Sequence, residues 1–261
     1  MEIKDISWVD LFLGYTLLII PLAIFWYYKS GLVLNTIISV LRMTIQLFLV
    51  GLYLKYLFEL NNAMVNVGWV LIMIIISTIT TIRKSELSFR MLALPVAIGS
   101  IIALFIVNIF FLAVILRLEN IFDARYFIAI TGLIMGNMME RNIIVLSSFY
   151  TNLERNSLEY NYAIASGANK REAVIPFMRE ALKLAFNPVI AKMTIMGLIA
   201  LPGTMTGQIL GGSSPEIAIK YQIVLMLMVF IASMITVVVT VAFANRKAFD
   251  KYDNIRAELF S

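Results

Sequence analysis

The sequence contains no cysteine and no histidine, and only 14% of its residues are charged. The absence of cysteine excludes disulfide bonds and thiolate metal sites. The absence of histidine removes the commonest transition-metal ligand and the commonest general base near neutral pH. Much familiar enzyme chemistry is thereby excluded, so we expect the chain itself not to be an enzyme. Residues that would bind a metal cannot be identified from the sequence.

Hydrophobic residues make up 61% of the 261 residues, and the mean hydropathy is +0.90. Such a chain would aggregate in water, so the composition predicts an integral membrane protein with lipid as its surroundings. At about 20 residues per spanning helix, there is room for roughly six to eight spans and no separate soluble domain. The net charge of +5 lies mainly on one side of the predicted membrane, so we expect no nucleic-acid partner.

Apolar runs separated by short polar loops predict an all-α, polytopic protein with about seven transmembrane helices. The predicted spans are approximately 8–28, 38–58, 67–82, 92–116, 126–150, 187–208 and 216–244. The start of the second span is open between Leu32 and Val40. Lys and Arg are concentrated in residues 83–90, in a long loop at 151–186 and after residue 244, so the positive-inside rule predicts an outside N-terminus and a cytoplasmic C-terminus. We expect a multi-pass protein of the plasma membrane.

The long loop at 151–186 is a polar interruption in this apolar chain, and its residues predict a helix, a tight corner and a second helix. The first helix should end at Ser166. Gly167 suits a left-handed position after a helix. Asn169 can cap the second helix, and Glu172 completes a capping-box pattern with it.

The second helix of this loop has an apolar stripe and a polar face. The stripe comprises residues 173, 174, 177, 178, 181, 182 and 185, and the charged face comprises residues 172, 179, 180 and 183. This pattern predicts a helix that lies on the membrane or against a partner. Amphipathicity alone favours the lipid-facing alternative.

Some polar residues fall inside predicted spans. Arg42 and Gln46 share one helix face. Because a charge in hydrocarbon is costly, Arg42 should face a cavity, a partner residue or the headgroups, and snorkelling to the interface is an equal alternative. Glu140 and Arg141 either pair with neighbouring helices or mark the end of a span, and the close spacing of the following polar residues favours the span end.

Leu201-Pro202-Gly203 predicts a kink or break in the sixth span, because proline lacks a backbone donor and glycine tolerates non-helical angles. Non-helical backbone at membrane depth is tolerated where protein or a water-lined cavity surrounds it, so the segment is a candidate gate. Packing of a glycine-rich helix is the competing interpretation. The candidate pathway or gate residues are Arg42, Gln46, Asn137, Pro202, Gly203, Thr204, Thr206 and Gln208.

A helix, a Gly-Ala corner and a second amphipathic helix in a cytoplasmic loop before the penultimate span resemble the EAA-type loop of ABC-transporter permeases, with Asn161-Tyr162-Ala163 where Glu-Ala-Ala would be. Nearly the whole chain is similar, in order and spacing, to the FetB-like permeases, a family of bacterial iron exporters and plant aluminium-tolerance proteins. The segments that carry this resemblance are LRMTIQLFLVGLYLKYLF (41–58), GLIMGNMM (132–139), LPGTMTGQILGGSSP (201–215) and AIKYQI (218–223).

The resemblance implies a permease subunit of an ABC transporter, working as a homodimer with two copies of a separate ATP-binding subunit and exporting iron or another metal or small solute. The chain has no G-x-x-x-x-G-K-[ST] phosphate loop. We therefore expect it to bind no cofactor, with ATP and Mg on the partner. An ATP-independent secondary transporter or channel is the alternative. The candidate residues for coupling to the ATPase are Asn161, Ala163, Gly167, Ala168, Asn169, Lys170, Arg171 and Glu172.

Overall fold

The computed structural model of the protein describes residues 6–260, and every named element in that range is helical. Extended pairing within it is limited to two isolated bridges, Met196 with Ala200 and Phe249 with Ile255. The all-α class predicted from composition and apolar periodicity is confirmed.

The helices follow one another through short connections. They are α1 (Trp8–Thr16), α2 (Ile19–Tyr27), α3 (Leu32–Leu60), α4 (Ala63–Ser85), α5 (Phe89–Ile109), α6 (Ala124–Arg155), α7 (Ser157–Ala165), α8 (Lys170–Ile195), α9 (Gly203–Leu210) and α10 (Pro215–Ala248). A π-helical segment at Phe110–Ile115 continues α5, and a 3₁₀ turn covers Ala257–Phe260.

Five helical stretches of residues 6–260 are long and apolar enough to cross a membrane. They are Trp8–Tyr27, Leu32–Leu60, Ala63–Ser85, Phe89–Ile115 and Pro215–Ala248. The predicted spans 126–150 and 187–208 are not among them. The first lies within the 32-residue α6, whereas the second is divided between α8 and α9. The total of seven spans and the orientation of the termini stay predictions.

Helix α10 lies at the centre of the bundle, where it packs against α5 and α6. The approach of α5 to α10 is close at Gly99, because a Cβ atom there would lie 2.9 Å from the Thr236 carbonyl oxygen. Such a small residue lets two helix backbones approach, which is how membrane helices gain packing contacts without a hydrophobic driving force between them.

Hydrogen bonds between buried side chains join the helices inside this bundle. The Asn142 Nδ2 atom donates to Thr236 Oγ1 at 3.1 Å, which links α6 to α10. The Asn108 Nδ2 atom donates to Thr131 Oγ1 at 2.9 Å, which links α5 to α6. These contacts fix the register of neighbouring helices, because an apolar surface alone lets one helix slide along another.

Helices α1 to α3 lie at the margin of the bundle. No residue of α1 or α2 is buried, and Leu57 is the buried residue of α3. Helix α3 begins at Leu32 and continues to Leu60, so the predicted start of the second span at residue 38 falls inside a continuous helix. The last turns of α3 contact α4 through the Tyr53 and Trp69 rings, whose centroids are 4.3 Å apart.

The apolar stripe of α8 is buried inside the chain itself. Ala173, Phe177, Ala181 and Ala185 belong to the core cluster that includes residues of α6. The stripe therefore contacts a neighbouring helix of the same chain and not lipid or a partner, whereas contact of the rest of α8 with the membrane or a partner stays a prediction. The alanines allow α8 to approach α6 closely, and an apolar stripe does not by itself distinguish a lipid contact from a contact with a neighbouring helix.

Candidate functional site

A cavity of about 520 Å³ lies between α6, α8, the start of α9 and α10. Apolar side chains form most of its wall, and a smaller set of polar side chains can form hydrogen bonds or ion pairs with a ligand. The polar lining residues are Asn137, Glu140, Arg141, Lys192, Thr204 and Gln222. We call this space the Lys192 cavity. A mostly apolar hollow with a few convergent polar groups is the usual form of a small-molecule site.

Arg141 lies on α6 at the wall of the Lys192 cavity and is only 8% exposed. One guanidinium nitrogen donates to the Ala185 carbonyl oxygen at 2.6 Å, and the other lies 2.6 Å from Glu140 Oε1. Pro188 has no N–H and so deprives a carbonyl of the preceding turn of its helical donor. That carbonyl belongs to Leu184, four residues before Pro188, and the Arg141 acceptor, Ala185, is the next residue.

This geometry bears on the two interpretations of Glu140 and Arg141 from the sequence. Arg141 pairs with Glu140 and binds the neighbouring helix α8, which is the first of them. Helix α6 continues to Arg155, and whether a membrane span ends near residue 141 stays a prediction. The buried guanidinium is satisfied by a carboxylate and a carbonyl, as a charge removed from water must be.

Lys192 projects from α8 about one turn beyond Pro188 and lines the same cavity. Among the described residues 6–260, no ion pair or hydrogen bond engages its ammonium group. Because Arg141 offsets the Glu140 carboxylate, Lys192 leaves the cavity with a net positive charge.

Between α8 and α9 the backbone leaves the helix from Met196 to Pro202. Gly197 adopts a positive φ of 83°, and its N–H donates to the Ala200 carbonyl oxygen at 3.0 Å. Pro202 then precedes α9 as its N-cap residue. The break that Leu201-Pro202-Gly203 predicts is confirmed, although it begins earlier, at Met196.

A second cavity of about 440 Å³ adjoins the first. Leu133, Thr204 and Leu225 line both spaces, and the Thr204 hydroxyl donates to the Gln222 side-chain oxygen on α10. We call the second space the Gln208 cavity, since Gln208 lines it near the beginning of α6. The two cavities therefore follow one another along α6 and meet where α9 contacts α10.

The structure gathers some of the pathway candidates and separates others. Asn137, Pro202, Gly203 and Thr204 line the Lys192 cavity, and Gln208 lines the other.

The remaining candidates line neither cavity. Arg42 and Gln46 are exposed on α3, and the Thr206 hydroxyl donates to the Pro202 carbonyl oxygen at 3.1 Å.

Lys192 and Gln222 line the cavity although neither is among the pathway candidates chosen from the sequence. Lys192 carried a usable signal, because a lysine within a predicted span is unusual unless it faces a polar space or a headgroup. Gln222 is 6% exposed, and its side-chain oxygen accepts a hydrogen bond from the Thr204 hydroxyl.

The corner between α7 and α8 has the local structure that its residues predict. Gly167 has a φ of 95°, and the Ala168 N–H donates to the Ala163 carbonyl oxygen at 3.0 Å while the Gly167 N–H donates to that of Ile164. This pair of bonds is a Schellman motif. Asn169 and Glu172 form the capping box, with reciprocal bonds of 2.8 and 3.0 Å.

Residues 249–260, which we call the tail, contact this corner and stabilise it. The Tyr160 hydroxyl donates to the Asp253 carbonyl oxygen at 2.7 Å, and the Lys170 ammonium lies 3.0 Å from an Asp253 carboxylate oxygen. The same ammonium lies 4.5 Å from the centre of the Phe249 ring. Burial first, and then the carboxylates of Asp253 and Asp250, raise the pKa of Tyr160 to about 12.

Comparison with known proteins places these features in a family. The model of an uncharacterised protein family, UPF0014, matches residues 8–249. The chain belongs to this family. The match includes both cavities, the α7–α8 corner and the first residue of the tail, so the site described above lies within the part that defines UPF0014.

Relatives in UPF0014 match most of the chain. Protein ALUMINUM SENSITIVE 3 of Arabidopsis thaliana is 28% identical over 99% of this chain and 96% of its own. The UPF0014 membrane protein STAR2 of Oryza sativa is 32% identical over 80% of this chain and 72% of its own. The probable iron export permease protein FetB of Escherichia coli is 28% identical over 91% of each. No solved structure matches the chain.

Membership in UPF0014 and the five apolar spanning helices together identify a multi-pass membrane protein. The candidate site is the pair of cavities along α6, together with the corner between α7 and α8. Within residues 6–260, no group of three or more His, Cys, Asp or Glu side chains is placed to hold a metal ion.

Proposed function

We propose that this chain is the membrane-spanning permease subunit of an ABC transporter. Two copies would form a homodimer in the plasma membrane with two copies of a separate ATP-binding subunit, which holds ATP and Mg. The cargo is iron or another metal or small solute, moved outward, and the chain performs no catalysis of its own.

The observation that carries this proposal is the unbroken course of α8. The helix begins at the capping box beside the corner and reaches the Lys192 cavity without interruption. At about 1.5 Å per residue, its 26 residues give it a length of about 39 Å, of which residues 170–186 lie in the proposed cytoplasmic loop and residues 187–195 enter the membrane. A displacement of the corner can therefore reach the cavity along one continuous helix, to which α6 is attached just before Pro188 through the Arg141 bond to Ala185.

Helix α6 forms the other half of this connection. It ends at Arg155, beside α7, and its middle carries Asn137, Glu140 and Arg141 on the cavity wall. The Arg141 bond to Ala185 joins α6 to α8 at that level. Helices α6 and α8 thus form a joined pair that connects the corner to the cavity. The proposed coupling residues lie at the corner: Asn161, Ala163 and Gly167 to Glu172.

The membrane arrangement in the proposal has seven spans, with the N-terminus outside and the corner and tail in the cytoplasm. It adds α6 (126–150) and the interrupted α8–α9 pair (187–208) to the five apolar spans. The loops that would then be cytoplasmic are the Lys/Arg-rich ones. The name of the FetB relative, a probable iron export permease, supports a transport role and the outward direction.

The test is reconstitution of the chain in proteoliposomes with the ATP-binding subunit that copurifies with it. We expect such a subunit to copurify and solute movement to need both it and ATP. An otherwise identical preparation without ATP is the control. Transport that continues with both ATP and the subunit absent would instead establish the alternative, a secondary transporter or channel.

A further inference from the structure

We infer that the Lys192 cavity binds a small oxyanion, a carboxylate or phosphate carried alone or as the outer ligand of a metal complex, and not a bare metal cation. This inference rests on the proposed function, because it treats the cavity as part of the path that the cargo takes. Nothing in the relatives' names assigns such a site.

The charges on the cavity wall carry the argument. Three ionisable side chains face the space: Glu140, Arg141 and Lys192. The Glu140 carboxylate is held by Arg141 at 2.6 Å, so its negative charge is already compensated. The Lys192 ammonium has no such partner among the described residues, so an entering ligand meets a net positive field.

Donor chemistry on the wall agrees with this field. The Arg141 guanidinium is held in place by Ala185 and Glu140, and Asn137 presents an amide whose Nδ2 atom is anchored on the Leu133 carbonyl oxygen at 2.8 Å. Ammonium, guanidinium and amide N–H groups bind carboxylate and phosphate oxygens in charge-assisted hydrogen bonds. The two charged groups among them, Arg141 and Lys192, repel a divalent cation.

A bare iron or aluminium ion needs several oxygen, nitrogen or sulfur ligands around one point. The cavity offers one carboxylate, which Arg141 already binds. Its other oxygen and sulfur donors, on Asn137, Thr204, Gln222, Met196 and Met226, are neutral and do not offset the charge of a multivalent cation that lies beside Arg141 and Lys192. A metal that passes through this space must therefore bring its own ligands. The volume of about 520 Å³ is in the range of pockets that hold small organic molecules.

Two substitutions with opposite expected effects on anion affinity test the inference. Binding is measured by isothermal titration calorimetry on the full-length chain in lipid nanodiscs, with citrate, inorganic phosphate, ferric citrate and Mn²⁺ as the probes. Lys192→Gln removes the unpaired charge and should weaken binding of the anions about tenfold. Glu140→Gln removes the carboxylate that pairs with Arg141 and should tighten binding of the anions. Lys183→Gln, on the same helix but outside the cavity lining, is the matched control and should change nothing.

Comparison of the probes identifies the source of the oxyanion. Tighter binding of ferric citrate than of citrate supports a metal complex, whereas equal binding of both, or preference for phosphate, supports a free anion. The inference is overturned if no anion binds the wild-type chain. It is also overturned if Mn²⁺ binds and its affinity is raised by Lys192→Gln and lowered by Glu140→Gln. Because no ATPase is present, this outcome is independent of whether transport needs ATP.

Discussion

Arg141 on α6 donates a hydrogen bond of 2.6 Å to the backbone carbonyl oxygen of Ala185 on α8, 44 residues further along the chain. The acceptor lies in the turn that Pro188 weakens. Helices α6 and α8 are therefore joined at the level of the cavity, and we expect them to move together.

Replacing Arg141 by Met should uncouple these helices. The substitution keeps an apolar stem but removes both the bond to Ala185 and the partner of Glu140, at a cost of about 1–3 kcal/mol. We expect a lower melting temperature in detergent and a loss of ATP-driven transport, with binding of the ATP-binding subunit retained. Arg141→Lys, which keeps the charge but lacks the two separate guanidinium nitrogens that bind Ala185 and Glu140, should be intermediate. A variant that retains both wild-type melting and transport would contradict this role.

Gly167→Val should weaken binding of the ATP-binding subunit. Gly167 has a φ of 95°, and a Cβ atom added to it would have no heavy atom within 4 Å, so the substitution strains the backbone without a clash, by about 1–2 kcal/mol. The corner should open while membrane insertion is unaffected. Pull-down of the subunit from membranes measures the effect.

Gly68→Val provides the matched control for the corner, because Gly68 lies inside α4 and also has open space around it. It should leave the pull-down unchanged. Equal binding by Gly167→Val and wild type would show that the subunit docks elsewhere.

Alkaline pH should release the tail from the corner. The ordinary pKa of tyrosine is 10.0 and that of Tyr160 is raised to about 12, so the protonated hydroxyl favours the docked state. This stabilisation is complete below about pH 10 and is lost as the pH rises towards 12. A spin label at Tyr252, which is 83% exposed, should gain mobility in that interval. The chain has no native cysteine, so Tyr252→Cys gives a single labelling site.

Tyr160→Phe is the control for this titration. It removes the hydroxyl that donates to Asp253 but keeps the ring that contacts Phe249. The label should then be more mobile at neutral pH, and the step between pH 10 and 12 should disappear. A step of unchanged size in this variant would assign the release to another group.

Gly99→Ala should destabilise the bundle, because the added Cβ would lie 2.9 Å from the Thr236 carbonyl oxygen. Relieving that contact requires α5 and α10 to separate, and overpacking of this kind costs about 1–3 kcal/mol. Thermal melting in detergent measures the change. Gly136→Ala, where the new atom meets nothing within 4 Å, should melt at or above the wild-type temperature. A Gly99→Ala variant as stable as wild type would show that the two helices have room to separate.

The corner could be predicted from the sequence because its interactions are local. Gly167 forms its bond with Ile164, and Asn169 pairs with Glu172, so all the necessary information lies within a few residues. The break near Pro202 is similar, since proline and glycine act on their own backbone.

The cavity could not be predicted in the same way. Lys192 and Gln222 become neighbours of Glu140 only when α6, α8 and α10 meet, and one sequence contains no measure of such distances. The apolar stripe of α8 was misassigned for a related reason. In a membrane protein both the lipid-facing surface and the core are apolar, so hydropathy does not tell which neighbour a stripe contacts.

The tail also sets an order of events during synthesis. Asp253 supplies the partners of Tyr160 and Lys170, and the Leu259 carbonyl accepts from the Ser88 N–H at 2.8 Å. All the helices that cross the membrane precede these residues in the chain. The corner therefore acquires these contacts only after residues 249–260 have left the ribosome, so in a nascent chain that stops at α10 the corner is still without them.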